Sequence, residues 1–179
     1  MQTSELSQTD RELVRGCLEN KRLVQRALYD RFSTSLYTLA YRLTGDRDAS
    51  NDVLQDAFIE IFRSMATFRF ESSLFTWMRT IVIRNAMSSL RLNARLQVVT
   101  GEIPDQASEG SFNFTAEHLE KAILSLPTQA RSVFVLIEVE GYKHQEVAGM
   151  LNISEGTSKS QLNYAKKLLR KRLTKPSDE

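Results

Sequence analysis

One cysteine, three prolines, seven glycines and two histidines are all that this 179-residue chain contains of those types, and each scarcity closes off a class of protein. The lone Cys17 can build neither a disulfide framework nor a multi-cysteine metal site, and it fits a reducing, cytoplasmic setting. With so few glycines and prolines and 41% hydrophobic residues, the chain is globular rather than disordered. The longest apolar stretch, around Val133 to Ile137, falls far short of the ~20 residues that span a bilayer, so no membrane insertion is expected. Met1 to Asp10 is polar and lacks the apolar h-region of a signal peptide. His118 and His144 stand alone and read as surface or structural residues rather than ligands. There is no phosphate-binding glycine loop, no HExxH and no nucleophile constellation, so neither catalysis nor a metal or cofactor is expected.

What is present is helical period along most of the length; alternating strand runs are hard to find. From Asp10 to Leu92 the chain reads as several helices, interrupted at Thr44-Gly45-Asp46 and again over Phe68 to Ser73, where Ser72 or Ser73 can cap the next helix. Between Leu96 and Phe114 the composition shifts to Gly101, Pro104 and Gly110 with serines and acids, the signature of a linker. The expected organisation is all-α: a helical domain over 1–95, a linker over 96–116 and a second helical domain over 117–179. Thr115 is a candidate N-cap, Leu126-Pro127 marks a boundary, and three more helices fit near 128–139, 143–151 and 155–173.

The last two of these helices carry a helix-turn-helix pattern. Asn152 sits where the tight turn needs a residue tolerant of positive φ. Ala148 is small where the helices would approach, Val147, Leu151, Ile153 and Leu162 supply a small core, and Ser154 can cap the second helix. On that helix Leu162, Ala165, Leu169 and Leu173 share one side, while Lys159, Asn163, Lys166 and Arg170 share another, flanked by Ser160, Tyr164, Lys167 and Lys171. Glu155 is the only acid from Ser154 to Lys175. A basic, hydrogen-bonding face behind such a turn suits phosphate and base contacts. Charge alone would fit a solvated amphipathic helix equally well; the turn residue, the alanine and the cap in register favour DNA.

In the N-terminal half two neighbouring helices carry opposite charge. Asp52, Asp56 and Glu60 recur every fourth residue beside Gln55, a like-charge spacing that costs about 0.2–0.5 kcal/mol per pair and favours a basic protein partner, with a solvated acidic face as the competing reading. Leu54, Phe58 and Phe62, with Ala57 and Ile61, form the apolar side. Arg63 to Arg95 then holds six arginines and one acid, Glu71. Trp77, Thr80, Arg84, Ser88 and Arg91 fall on one helical face, and Met78, Val82, Ala86 and Leu90 on another. An arginine and hydroxyl stripe headed by an aromatic can track a phosphate backbone and stack an unpaired base; a core position for Trp77 is the competing reading. Phe68, Phe70 and Phe75 read as core.

These residues resemble a known family. The chain is similar to the extracytoplasmic-function (group IV) sigma factors of bacteria over about residues 10–95 and 117–173. Asp52-Val53-Leu54-Gln55-Asp56-Ala57-Phe58 looks like the family helix that docks on the clamp of the polymerase β′ subunit, which would give Asp52, Gln55, Asp56 and Glu60 a core-binding role. Phe68 to Trp77 resembles the loop and helix start that capture a flipped base of the −10 element, and the helix to Arg91 resembles the one lying along the opened strand. The resemblance thus implies −10 contacts by Arg69, Ser72, Ser73, Trp77, Thr80, Arg84, Asn85, Ser88 and Arg91. The family's asparagine aligns with Arg84, next to Asn85, so either is a candidate reader. Leu126-Pro127, Glu140-Gly141-Tyr142, Glu146-Val147-Ala148, Gly156-Thr157, Lys159-Ser160, Leu162 and Ala165 match the second region. They imply −35 contacts by Thr157, Lys159, Ser160, Gln161, Asn163, Tyr164 and Lys167. The family usually has valine at Ser158, often has arginine at Gln161 and Tyr164, and often has a glycine near Phe70 that is missing here.

The implied function is promoter recognition and melting on behalf of core RNA polymerase, with the β′ clamp, the β flap, promoter DNA and an anti-sigma factor as partners. On this reading two weak DNA readers gain from effective concentration once both are docked on one enzyme. A stand-alone helix-turn-helix regulator and a helical adaptor with no DNA role are the competing readings.

Overall fold

The computed structural model describes residues 2–100 and 116–173, and among them all regular structure is helical. The chain divides into two compact units, Met1–Ser89 and Leu90–Glu179.

In the first unit α1 (Gln2–Leu18), α2 (Arg22–Thr44) and α3 (Arg47–Ser64) are followed by a 3₁₀ turn, Met65–Thr67, and by α4 (Leu74–Thr100), which belongs to this unit as far as Ser89. Helix α1 crosses α2 closely at Gly16, where an added Cβ would come within 2.7 Å of Val24. The break expected at Thr44-Gly45-Asp46 is a hinge of defined chemistry. Gly45 adopts φ 73° and donates its N–H to the Tyr41 carbonyl, ending α2. Asp46 then starts α3 by accepting from the Ala49 N–H at 2.8 Å. Across the turn the buried hydroxyls of Thr44 and Ser50 hydrogen-bond at 2.7 Å, so neither leaves a polar atom stranded between α2 and α3. Leu28, Leu36, Leu43, Ile61, Met65, Leu74, Met78 and Val82 are fully buried and form the centre of this unit.

Helix α4 begins at the second expected break, where Ser73 accepts from the Thr76 N–H at 3.1 Å. A carboxylate oxygen of Asp10 on α1 lies 3.4 Å from the Leu74 N–H, and its other oxygen lies 3.5 Å from Arg31. The linker expected from Leu96 starts inside this helix, whose backbone stays helical to Thr100. The reason is local: no helix breaker precedes Gly101. The rest of the linker and the Thr115 cap lie outside the described residues.

The second unit contains α5 (Ala116–Leu124), α6 (Thr128–Phe134), α7 (His144–Leu151) and α8 (Glu155–Leu173). Arg131 is 1% exposed, and its guanidinium donates to the carbonyls of Leu124 and Leu126 at 2.8 and 3.3 Å. A cation therefore satisfies the open end of α5, where the carbonyls have no helical partner of their own. The single helix expected over 128–139 changes pitch: α6 passes into a π-helical stretch, Val135–Val139, which closes when Glu140 donates to the Val135 carbonyl at 3.0 Å. Gly141, with φ 79°, then turns the chain toward α7. Glu146 accepts from the Lys143 N–H at 2.7 Å and fixes the start of that helix.

Replacing Arg131 with alanine strands two carbonyls and is expected to lower the stability of this unit by about 1–3 kcal/mol. Denaturant unfolding of the variant against the parent checks it.

Candidate nucleic-acid interface

Helix α3 buries Val53, Leu54, Ala57, Phe58 and Ile61, which leaves Asp52, Gln55 and Asp56 exposed on its outer side. Ile59, 43% exposed, lies next to them in the chain. Glu60, assigned by the sequence to the same face, behaves differently. It is half-buried and turned to α4, where its carboxylate receives the Arg84 guanidinium on one oxygen and the Asn85 amide on the other, the latter at 2.9 Å. The four-residue set is thus two exposed acids with the neutral Gln55 beside them, and one acid, Glu60, that is engaged within the unit. Helical spacing alone could not separate them, because the partners come from a helix more than twenty residues further on.

On α4 the two faces separate as the spacing implies. Met78, Val82 and Ala86 are fully buried and Leu90 half-buried. Thr80, Arg84, Ser88 and Arg91 are exposed. Trp77 lies between the two faces: it is half-buried, with its ring 5.3 Å from that of Phe68. Asn85, half-buried, donates to the Ile81 carbonyl at 3.0 Å as well as to Glu60.

The loop before α4 keeps Arg69, Ser72 and Ser73 exposed. Phe68 is buried, but Phe70 is not the core residue its type suggests. It is 43% exposed, adopts φ 59°, packs 4.7 Å from the Phe68 ring and lies under the Arg11 guanidinium at 5.7 Å. A left-handed conformation costs a bulky residue roughly 1–2 kcal/mol. The loop glycine that would avoid that cost is absent, and the aromatic and cation contacts offset it. Arg11 was not singled out by the sequence; nothing in its spacing ties it to a loop sixty residues later.

In the second unit Asn152 closes α7 with φ 53° and ψ 48°, as the turn requires. Ser154 accepts from the Thr157 N–H at 3.0 Å and caps α8. Val147, Ala148, Leu162, Ala165 and Leu169 are buried, while Leu151, Ile153 and Leu173 are half-buried. Lys159, Ser160, Asn163, Tyr164, Lys167 and Arg170 are exposed along α8, with Thr157 and Gln161 half-buried at its edge. Lys166 is drawn out of this basic face by Glu138, at 2.8 Å.

Two family matches fall on these two sets of helices. Residues 28–96 match Sigma-70 region 2, and residues 116–169 match Sigma-70, region 4. The chain belongs to the sigma-70 family.

Relatives place it with the extracytoplasmic-function sigma factors. It is 26% identical over 159 residues to the ECF RNA polymerase sigma factor SigM of Mycobacterium tuberculosis, covering 88% of this chain and 81% of that one. It is 29% identical over 165 residues to SigL of the same species, covering 88% and 93%. The fold is shared with the sigma factor RpoE solved in complex with the anti-sigma factor NepR from Bartonella quintana, at a TM-score of 0.57 and 22% identity over 83% of this chain and 95% of that one.

Within this sigma factor the departure at Ser158 has a structural counterpart. Ser158 is fully buried, and its hydroxyl pairs at 2.9 Å with Nδ1 of His144, the first residue of α7. A polar contact thus ties α7 to α8 where the resemblance implies an apolar side chain. Ser158→Ala is expected to cost about 0.5–1.5 kcal/mol in denaturant unfolding.

At the start of α8 the Glu155 carboxyl accepts a hydrogen bond from Lys159 at 2.6 Å, and that bond, with the ammonium charge, holds its pKa below the ordinary value. A carboxyl depressed in the folded state contributes fully above its unfolded pKa and loses the contribution as pH falls through the folded one. NMR titration of Glu155 should give a midpoint below that of a free glutamate, and Lys159→Met should raise it.

Proposed function

We propose that this sigma factor, which brings core RNA polymerase to promoters and directs their melting, divides that work among three surfaces. The exposed side of α3, with Asp52, Gln55 and Asp56, docks on a basic site of the core enzyme. The loop at Arg69 to Ser73 and the exposed stripe of α4 hold the opened −10 strand. The basic side of α8 reads −35 duplex in the major groove. The observation that carries the reading is the pairing, within the first unit, of the exposed acids Asp52 and Asp56 on α3 with the exposed Thr80, Arg84 and Ser88 on α4. A repressor using only the helix-turn-helix has no need of that opposition.

Each surface is weak alone. Extruding a base costs on the order of a few kcal/mol, and the docked polymerase supplies the geometry that repays it. The factor performs no catalysis itself; bond formation belongs to the core enzyme. Its place is the cytoplasm, beside the chromosome; no helix among the described residues is long and apolar enough to cross a membrane. An anti-sigma factor is a fitting partner, since RpoE, which shares this fold, was solved with NepR.

The test is run-off transcription with bacterial core polymerase on DNA upstream of the factor's own gene, paired with a core-binding assay. Reversal of Asp52 and Asp56 to lysine should reduce core affinity and every transcript by at least about tenfold, the scale of 1.4 kcal/mol. Lys167→Glu should leave core affinity intact and depress only transcripts that depend on a −35 element. Tight binding of free factor to duplex DNA, with no binding to core, would put the stand-alone regulator in its place.

A further inference from the structure

Glu60 receives both side chains between which the −10 alignment cannot choose, and the chemistry of that contact decides what Asn85 has left to offer. An asparagine amide has two N–H donors on its nitrogen and one acceptor oxygen. Nδ2 of Asn85 lies 2.9 Å from Glu60 Oε2 and 3.0 Å from the Ile81 carbonyl oxygen. Both neighbours only accept. Turning the amide over would set its oxygen against two acceptors, so the hydrogen-bond network itself dictates the orientation. Both N–H groups are therefore used inside the protein, and Oδ1 is the atom that remains for a ligand.

We propose that Glu60 is a specificity-determining residue: it makes Asn85 an acceptor-only reader of an unpaired −10 base. Such a reader selects a base that presents an N–H to it. It cannot form the two-pronged contact with adenine that a free asparagine amide makes, since that contact needs one donor and one acceptor from the same amide. The same carboxylate holds one nitrogen of Arg84, whose exposed guanidinium keeps further N–H groups for a neighbouring phosphate. The two side chains thus take different tasks, base and backbone, through one shared anion. Glu60 is then a positioning group for DNA and not part of the surface that binds core enzyme.

The inference rests on the −10 role of α4, and the experiment separates the two. Holoenzyme is assembled from core polymerase and the parent, Asn85→Ala, Glu60→Ala or Glu60→Met factor. Open-complex formation is then measured on premelted promoters bearing each of the four bases at each non-template −10 position. Asn85→Ala should abolish preference at one position. Both Glu60 variants should reduce the selectivity ratio at that same position by about fivefold or more, the scale of one lost hydrogen bond. Glu60→Ala combined with Asn85→Ala should add nothing further, and core affinity should stay at the parent value. Glu60→Met keeps the side-chain length and half-buried packing without a strong acceptor, so a folding defect confined to the alanine variant leaves the test intact. If Asn85→Ala removes a preference that both Glu60 variants keep, the assignment of Glu60 is wrong while the −10 reading stands. If Asn85→Ala changes no preference anywhere, the role of Asn85 in reading the −10 strand fails, and the proposal with it. Loss of core affinity in the Glu60 variants, with base preference unchanged, would return Glu60 to the polymerase-binding face.

Discussion

Burial of one edge of α4 is the constraint on which the N-terminal unit depends. Leu74, Met78, Val82 and Ala86 have no exposed surface, and the large ones each contribute on the order of 1.5–3 kcal/mol by leaving water. Side chains at that spacing leave the helix no rotational freedom. Once they face inward, Thr80, Arg84 and Ser88 must face outward, and Asn85 must stand at the boundary where Glu60 can reach it. The exposed polar stripe is thus a consequence of the apolar one.

The second unit is organised by polar groups placed where a core would ordinarily be apolar. Arg131 spends its charge on carbonyls at the end of α5, and Ser158 and His144 join α7 to α8. A buried polar group is tolerated only with its partners in place. These contacts therefore restrict how α6 sits on the end of α5, and how α7 packs on α8, more sharply than aliphatic side chains of similar size would. That restriction matters for a helix-turn-helix, in which the angle between two helices sets what the second one can reach.

Stability and recognition meet at the loop before α4. Phe70 pays a left-handed backbone to stand out from the surface, with Phe68 beneath it and Arg11 above. Strain of this kind persists where the surroundings over-determine it, and it concentrates where a chain makes contact with ligands. The fold keeps the exposed ring next to Trp77 and the α4 stripe through the shared neighbour Phe68.

Much of this was legible from residue order alone, because the relevant physics is local. Helical period, the Gly45 and Asn152 turns, and the Ser73 and Ser154 caps each depend on residues within a few positions of one another, and they are found where the pattern puts them. The two faces of α4 and of α8 follow from the same period. What only tertiary structure decided is which polar groups meet across distance. No spacing rule connects Glu60 with Arg84 and Asn85, Arg11 with Phe70, Lys166 with Glu138, or Asp10 with the start of α4. Those pairs arise where helices distant in sequence are pressed together by their apolar sides, so charge patterning could count the groups but could not say which of them remain free to bind.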